Sequence, residues 1–229
     1  GAGIDKTVLH FPQPLSKTKG GSHQHSGGIF WFQGVEEVGL EDFTITFPDV
    51  LYPGHLKEPG FNGATFIKSS HCWIRRIRIH NADNGIIGYD NATYCTMSDL
   101  YFTAFPGRNE RGRKYGHRSI RANGHHMLRG EDCSHFLWHN IVIEAPGCHD
   151  MDLEDVAKGH VFSQIRGTNL CIDHHNDTPR NNLWTDIDAG IGDRLWLSGG
   201  SAPPRGDCWD ETFWGITSRQ DMLLPYPSG

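Results

Sequence analysis

The sequence predicts an all-β protein, a parallel β-helix (solenoid) of about seven coils with long loop insertions, on three observations. A short phrase recurs at Val38–Ile45, Cys72–Ile79, Cys95–Phe102, Phe136–Ile143, His160–Gly167, Asn182–Ala189 and Glu211–Ser218. Most copies read apolar, x, apolar, x, polar, apolar, x, apolar, which is strand-like alternation around one polar break. Neighbouring copies such as those starting at 72 and 95, or at 136, 160 and 182, are separated by roughly 22 to 24 residues, a period typical of solenoids. The 28 glycines and 11% aromatic content suit many short strands joined by tight turns.

Each phrase reads as two strand segments with a bend. Leu40, Ile74, Met97, Trp138, Phe162, Trp184 and Phe213 form one inward column, and Phe43, Ile77, Leu100, Ile141, Ile165, Ile187 and Ile216 a second. The residue before the second column is Asp42, Arg76, Asp99, Asn140, Gln164, Asp186 or Gly215, a set suited to a bend whose side chains bond to one another and to turn backbone. Asp186 is therefore read as a member of a turn ladder. Cys72 and Cys95 hold equivalent inward positions, either bridged or, as expected here, a buried thiol stack.

A further strand should precede each phrase: Ile29–Gln33, Ala64–Lys68, Gly85–Gly88, His125–Arg129, Asp150–Glu154, Asn169–Asp173 and Arg194–Ser198. With Phe32, Ile67, Ile87, Leu128, Leu153, Ile172 and Leu197 inward, the period-two rule turns Gln33, Lys68, Gly88, Arg129, Glu154, Asp173 and Ser198 outward. Trp31, Asp152 and Trp196 lie two residues earlier in the same outward strip. Trp31 and Trp196 suit stacking on sugar rings, or packing under loops.

Two insertions matter. About 20 residues between Phe102 and His125 carry Arg108, Arg111, Arg113, Lys114, Arg118 and Arg121 against Glu110 alone, with Tyr115 and His117 among them. They are expected to form a basic wall over the Arg129–Glu154–Asp173 surface, supplying Arg113 and Lys114, with Lys68, His175 and Trp196, to bind substrate. The shorter Pro48–Gly63 joins the first two coils.

Carboxylates on neighbouring rungs about 4.8 Å apart cannot both ionise freely unless a cation lies between them. Glu154 and Asp173, with Arg129 one rung before and Asp152 beside them, therefore fit three chemistries. They suit a glycosidase acid/base or nucleophile pair, or a calcium site of Asp152, Glu154 and Asp173. The third is β-elimination from a uronate, with His125, His174 or Tyr115 moving protons. The 15 histidines concentrate nearby, at His125-His126, His149 and His174-His175. They could form a proton-transfer set, ligate zinc or another transition metal, or stack as idle turn ladders.

With the coils laid out, the chain resembles the right-handed parallel β-helix proteins of the pectate-lyase-like superfamily over roughly residues 25 to 220, in phrases such as Trp73–Ile79 followed by Asn84-Gly-Ile-Ile87. Ile172–His175, Leu183–Gly190, Leu195–Gly200 and Glu211–Gly215 are similar to bacterial proteins of this type. The resemblance implies a secreted polysaccharide lyase or glycoside hydrolase, extracellular or periplasmic, with a polysaccharide as partner. A non-catalytic glycan-binding segment is the remaining expectation. Net charge of −6 argues against nucleic acid, and no apolar run is long enough for a membrane span. The whole chain, 1–229, reads as one domain; neither end carries a recognisable solenoid cap, so it is expected to belong to a longer protein.

Overall fold

The computed structural model describes residues 28–109, 113–115, 118–175, 179–196 and 210–221. Side chains are not described for the short strands within 113–120. In chain order the strands are β1 (Gly28–Gln33), β2 (Gly39–Thr46), β3 (Asn62–Ile67), β4 (Trp73–His80), β5 (Asn84–Tyr89), β6 (Thr96–Thr103), β7 (Arg113–Tyr115) and β8 (Arg118–Ile120). They continue with β9 (His126–Glu131), β10 (Leu137–Ile143), β11 (His149–Glu154), β12 (Val161–Gly167), β13 (Ile172–His175), β14 (Leu183–Asp188) and β15 (Thr212–Thr217). Among the described residues there is no helix.

From β1 to β14, apart from the antiparallel β7–β8 hairpin, the chain alternates between two parallel sheets. One runs β1-β3-β5-β9-β11-β13 and the other β15-β14-β12-β10-β6-β4-β2. A ladder of single parallel bridges at Glu36, Ser70, Thr93, Ser134, Lys158 and Arg180 lies between them in each repeat. This arrangement is compatible with a β-helix or solenoid.

The second sheet has the register the phrases predict. Trp138 pairs with Met97 and Phe162, and Ile141 with Leu100 and Ile165. These residues are fully buried, and the Trp138, Phe162, Trp184 and Phe213 rings stack at centroid separations of 5.5, 4.0 and 6.1 Å. Each strand bends at the polar break because that residue is left-handed: Asp42, Arg76, Asp99, Asn140, Gln164, Asp186 and Gly215 all have φ between 51° and 64°. Asp, Asn and Gly tolerate this region best, which accounts for the choice at five of the seven positions. Side chains bond along the column, with Asn140 Nδ2 donating to Asp99 Oδ1 at 2.6 Å and Arg76 to Asp42 at 2.7 Å. Two further left-handed columns turn each repeat, Gly34-Lys68-Asp90-Asp132-Asp155 and Glu37-His71-Tyr94-His135-Gly159-Asn181-Asp210. Cys72 and Cys95 are buried free thiols, as expected of the stack.

The first sheet departs from its expected register. Phe32 pairs with Phe66, Phe66 with Gly88, Gly88 with Gly130, Gly130 with Leu153 and Leu153 with His174. The companion inward column is Phe30, Ala64, Ile86, Leu128, Met151 and Ile172. Gly88 and Gly130 occupy inward positions because neighbours fill their space: a Cβ on Gly88 would lie 2.5 Å from the Phe136 ring. Ile67 and Ile87, expected inward, instead share registers with Gln33 and Arg129. The strand expected at Asn169–Asp173 begins at Ile172, and Arg194–Trp196 is a turn rather than a strand.

Candidate functional site

The outward column of the first sheet runs Trp31, Thr65, Ile87, Arg129, Asp152, Asp173. Beside it run Glu131, Glu154 and His175. Arg129, Glu154 and Asp173 thus share a face, but Glu154 and Asp173 are not stacked on one another: Asp173 pairs with Asp152, and Glu154 with His175. Over this face lies the 48–61 segment, which brings in His55 and Glu58. It is tied down by Tyr52 N donating to the Arg108 carbonyl and by the Tyr52 hydroxyl donating to Glu58 at 2.7 Å.

Arg129 is the cation of the cluster. Its Nη2 lies 2.5 Å from Glu154 Oε2 and 2.6 Å from Glu131 Oε2, and its Nε 3.6 Å from Asp152 Oδ2. Burial works against the guanidinium charge, but Glu154, Asp152 and Glu131 outweigh it and hold it protonated. Burial pushes the Glu131 carboxyl up to about 7 despite Arg129. Burial, with the charges of Glu154 and Asp173, also drives Asp152 well above the carboxylate range. Asp173 goes the other way. Burial would raise it, yet His149 and His175 hold it ionised below its ordinary value.

The imidazoles pair with carboxylates from successive strands. His126 Nδ1 is 2.7 Å from Asp152 Oδ2, His149 Nδ1 contacts Asp173, and His175 Nδ1 is 3.5 Å from Asp173. His125 Nδ1 is 3.2 Å from Glu58 Oε1. Burial lowers His125 to about 3 and His126 well below the usual range, so both are neutral at physiological pH. Burial alone would raise Glu58, but its bond to His125 and that residue's charge bring it to about 2. His175 is raised, chiefly by its bond to Asp173, and keeps 20% side-chain exposure, so it reaches solvent.

Several sequence expectations are corrected here. His174 points inward: it pairs with Leu153, packs at right angles to the Trp184 ring with centroids 5.5 Å apart, and faces Glu211 at 3.5 Å. Period two demands this once Asp173 faces out. Trp196 is half-buried, edge-on to Phe213 at 5.1 Å, rather than outward for a sugar. Lys68 stands at a left-handed turn past the end of β3, with φ 48°, and pairs with Asp90 at 3.2 Å. Arg108 joins no basic wall. It is buried against Asp83 at 2.8 Å and donates to the Asn123 and Val50 carbonyls. A second buried pair, Arg194 with Asp150, ties the 194–196 turn to β11. The side chains of Arg113, Lys114 and Tyr115 lie outside the described residues.

Among the described residues, two groups of donor atoms lie within 4.8 Å of one another, His126–Asp152–Glu154 and His55–His125–His149. The set expected for calcium is thus split: Asp152 and Glu154 converge with His126, while Asp173 is engaged by His149 and His175. His55 and Glu58 went unnoticed in the sequence. Their only signal is a His-x-x-Glu between Pro53 and Pro59 in an otherwise plain insertion. No helix among the described residues is long and apolar enough to cross a membrane. No family model, curated protein or solved structure matches the chain.

Proposed function

We propose that the two parallel sheets are walls of a right-handed β-helix of about seven coils, of the pectate-lyase-like type. In this reading it is an extracellular or periplasmic enzyme that cleaves an acidic polysaccharide by β-elimination. The observation that carries the reading is the Asp173–His175 dyad: a buried, ionised carboxylate backs an imidazole that opens to solvent. It sits on the same outward face as Arg129. Elimination requires a base to take the proton alpha to the uronate carboxylate. The freed electron pair forms a carbon–carbon double bond, the glycosidic carbon–oxygen bond breaks, and the departing oxygen takes a proton. Neutral His175 takes the first proton, Asp173 stabilises the imidazolium, and the same proton passes to the leaving oxygen. His175 thereby fills the role expected of His174. The Arg113 and Lys114 segment neutralises the substrate's acid groups.

One observation favours a second reading, glycoside hydrolysis. Glu131, held near neutrality, is a cross-strand neighbour of Glu154, giving an acid beside a carboxylate. That pair replaces the expected Glu154/Asp173.

The test is digestion of a panel of uronate-containing and sulfated polymers. Far-ultraviolet absorbance from the conjugated double bond of unsaturated uronate, lost in His175→Ala, supports elimination. New reducing ends without that absorbance, lost in Glu131→Gln, transfer the case to hydrolysis. Retention on the polymer without either product means a binding protein.

A further inference from the structure

Three imidazoles from separate segments meet under the 48–61 segment. His125 precedes β9, His149 opens β11, and His55 comes from the segment above. Their ring centroids are 4.3 Å (55–125), 5.3 Å (125–149) and 6.1 Å (55–149) apart. A tetrahedral ion about 2.0–2.1 Å from each nitrogen would set such rings roughly 5 Å apart. Each has a donor atom within 4.8 Å of the other two.

The surroundings match what an imidazole ligand requires. His125 Nδ1 faces Glu58 Oε1 at 3.2 Å, and His149 Nδ1 faces Asp173 Oδ2. A carboxylate on Nδ1 fixes the tautomer, leaves Nε2 as the donor and raises its basicity, the usual support of a metal-bound histidine. Glu58 is itself held by the Tyr52 hydroxyl and by Leu56 N at 3.0 Å. His125 and His149 are buried, whereas His55 is partly exposed, so an ion at their focus keeps one side toward solvent.

We propose that His55, His125 and His149 bind one divalent ion of the zinc type, with Glu58 and Asp173 orienting two of the three ligands. An all-imidazole set selects a borderline ion over calcium, which takes several oxygen ligands. Three protein ligands leave a fourth position open, as in catalytic rather than structural zinc sites. The assignment stands apart from the polysaccharide reading, because its readout is binding.

Untagged protein stripped with a chelator is titrated with Zn²⁺ against a chromophoric chelator, with Co²⁺ while its visible spectrum is recorded, and with Ca²⁺. The expected result is one Zn²⁺ per chain, the intense visible bands of tetrahedral Co²⁺, and no competition by Ca²⁺. Binding is abolished in His55→Ala, whose partly exposed site leaves thermal unfolding of the metal-free protein unchanged. It weakens about 10- to 100-fold in Glu58→Gln. Absence of Zn²⁺ and Co²⁺ binding overturns the assignment, as does binding that survives His55→Ala. Loss in Asp152→Asn with His55→Ala unaffected places the ion on the His126–Asp152–Glu154 group and overturns it equally.

Discussion

Replacing Arg129 by Met removes the cation that Glu131, Glu154 and Asp152 share while keeping most of the stem's apolar contact. The nearest oxygens are 2.5 and 2.6 Å from Nη2, and Asp152 is 3.6 Å from Nε. Deleting one partner of a buried ion pair generally costs about 3–5 kcal/mol, because the other charge stays buried without compensation. That loss is expected at pH 8. It should shrink at lower pH, since carboxyls without their cation bind protons more tightly in the folded chain than in the unfolded one. The penalty is then absent below the unfolded values near 4 and complete once pH exceeds the raised folded values. Urea unfolding followed by tryptophan fluorescence, at pH 5 and pH 8 for both proteins, measures the difference. An equal loss at the two pH values, or a loss under about 1 kcal/mol at pH 8, would refute a buried cluster neutralised by Arg129.

Glu131, pushed up from its ordinary 4.5 to about 7 in the folded protein, contributes stability that is complete below 4.5 and lost as pH rises through 7. Glu131→Gln should therefore flatten the stability–pH curve by about 2–3 kcal/mol over that window, and an unchanged slope excludes the shift. Phe162→Ala, between the Trp138 and Trp184 rings, should lose about 3–5 kcal/mol in chemical unfolding; a smaller loss than 1–2 kcal/mol would mean the stack collapses around the gap. Gly190 and Gly34 have φ of 69° and 62°, but a Cβ on Gly190 would lie 2.2 Å from the Gly167 and Thr168 carbonyl oxygens, while one on Gly34 meets nothing within 4 Å. Gly34→Ala should cost about 1–2 kcal/mol and Gly190→Ala about 1–3 kcal/mol more. Equal melting temperatures for the two variants would contradict the close approach.

The second sheet was legible because each strand carries its own marker. The left-handed residue at Asp42, Asp99 or Asn140 must be polar or small, so the break in alternation fixes register from the sequence alone. The first sheet has no such marker. Its inward column contains Gly88, Gly130 and His174, which apolar matching passes over in favour of Ile67, Ile87 and Leu128. Arg129, Glu154 and Asp173 share one face as alternation along their strands predicts, although Glu154 and Asp173 stand in different columns. His55 and Glu58 arrive through an insertion whose path no periodicity describes. Arg108 was expected in the basic wall because nothing local in the sequence marks its buried partner Asp83, 25 residues earlier in the chain.

Among the described residues β13 is an edge strand of its sheet, at the end opposite β1, paired along one side with β11. Across its other edge Ile172 N donates to the Leu195 carbonyl at 2.7 Å. Asp173 and His175 therefore ride on a rung with a single full neighbour, whereas Arg129 and Asp152 are gripped from both sides. A pair at such a selvedge can shift with only one neighbouring described strand to disturb.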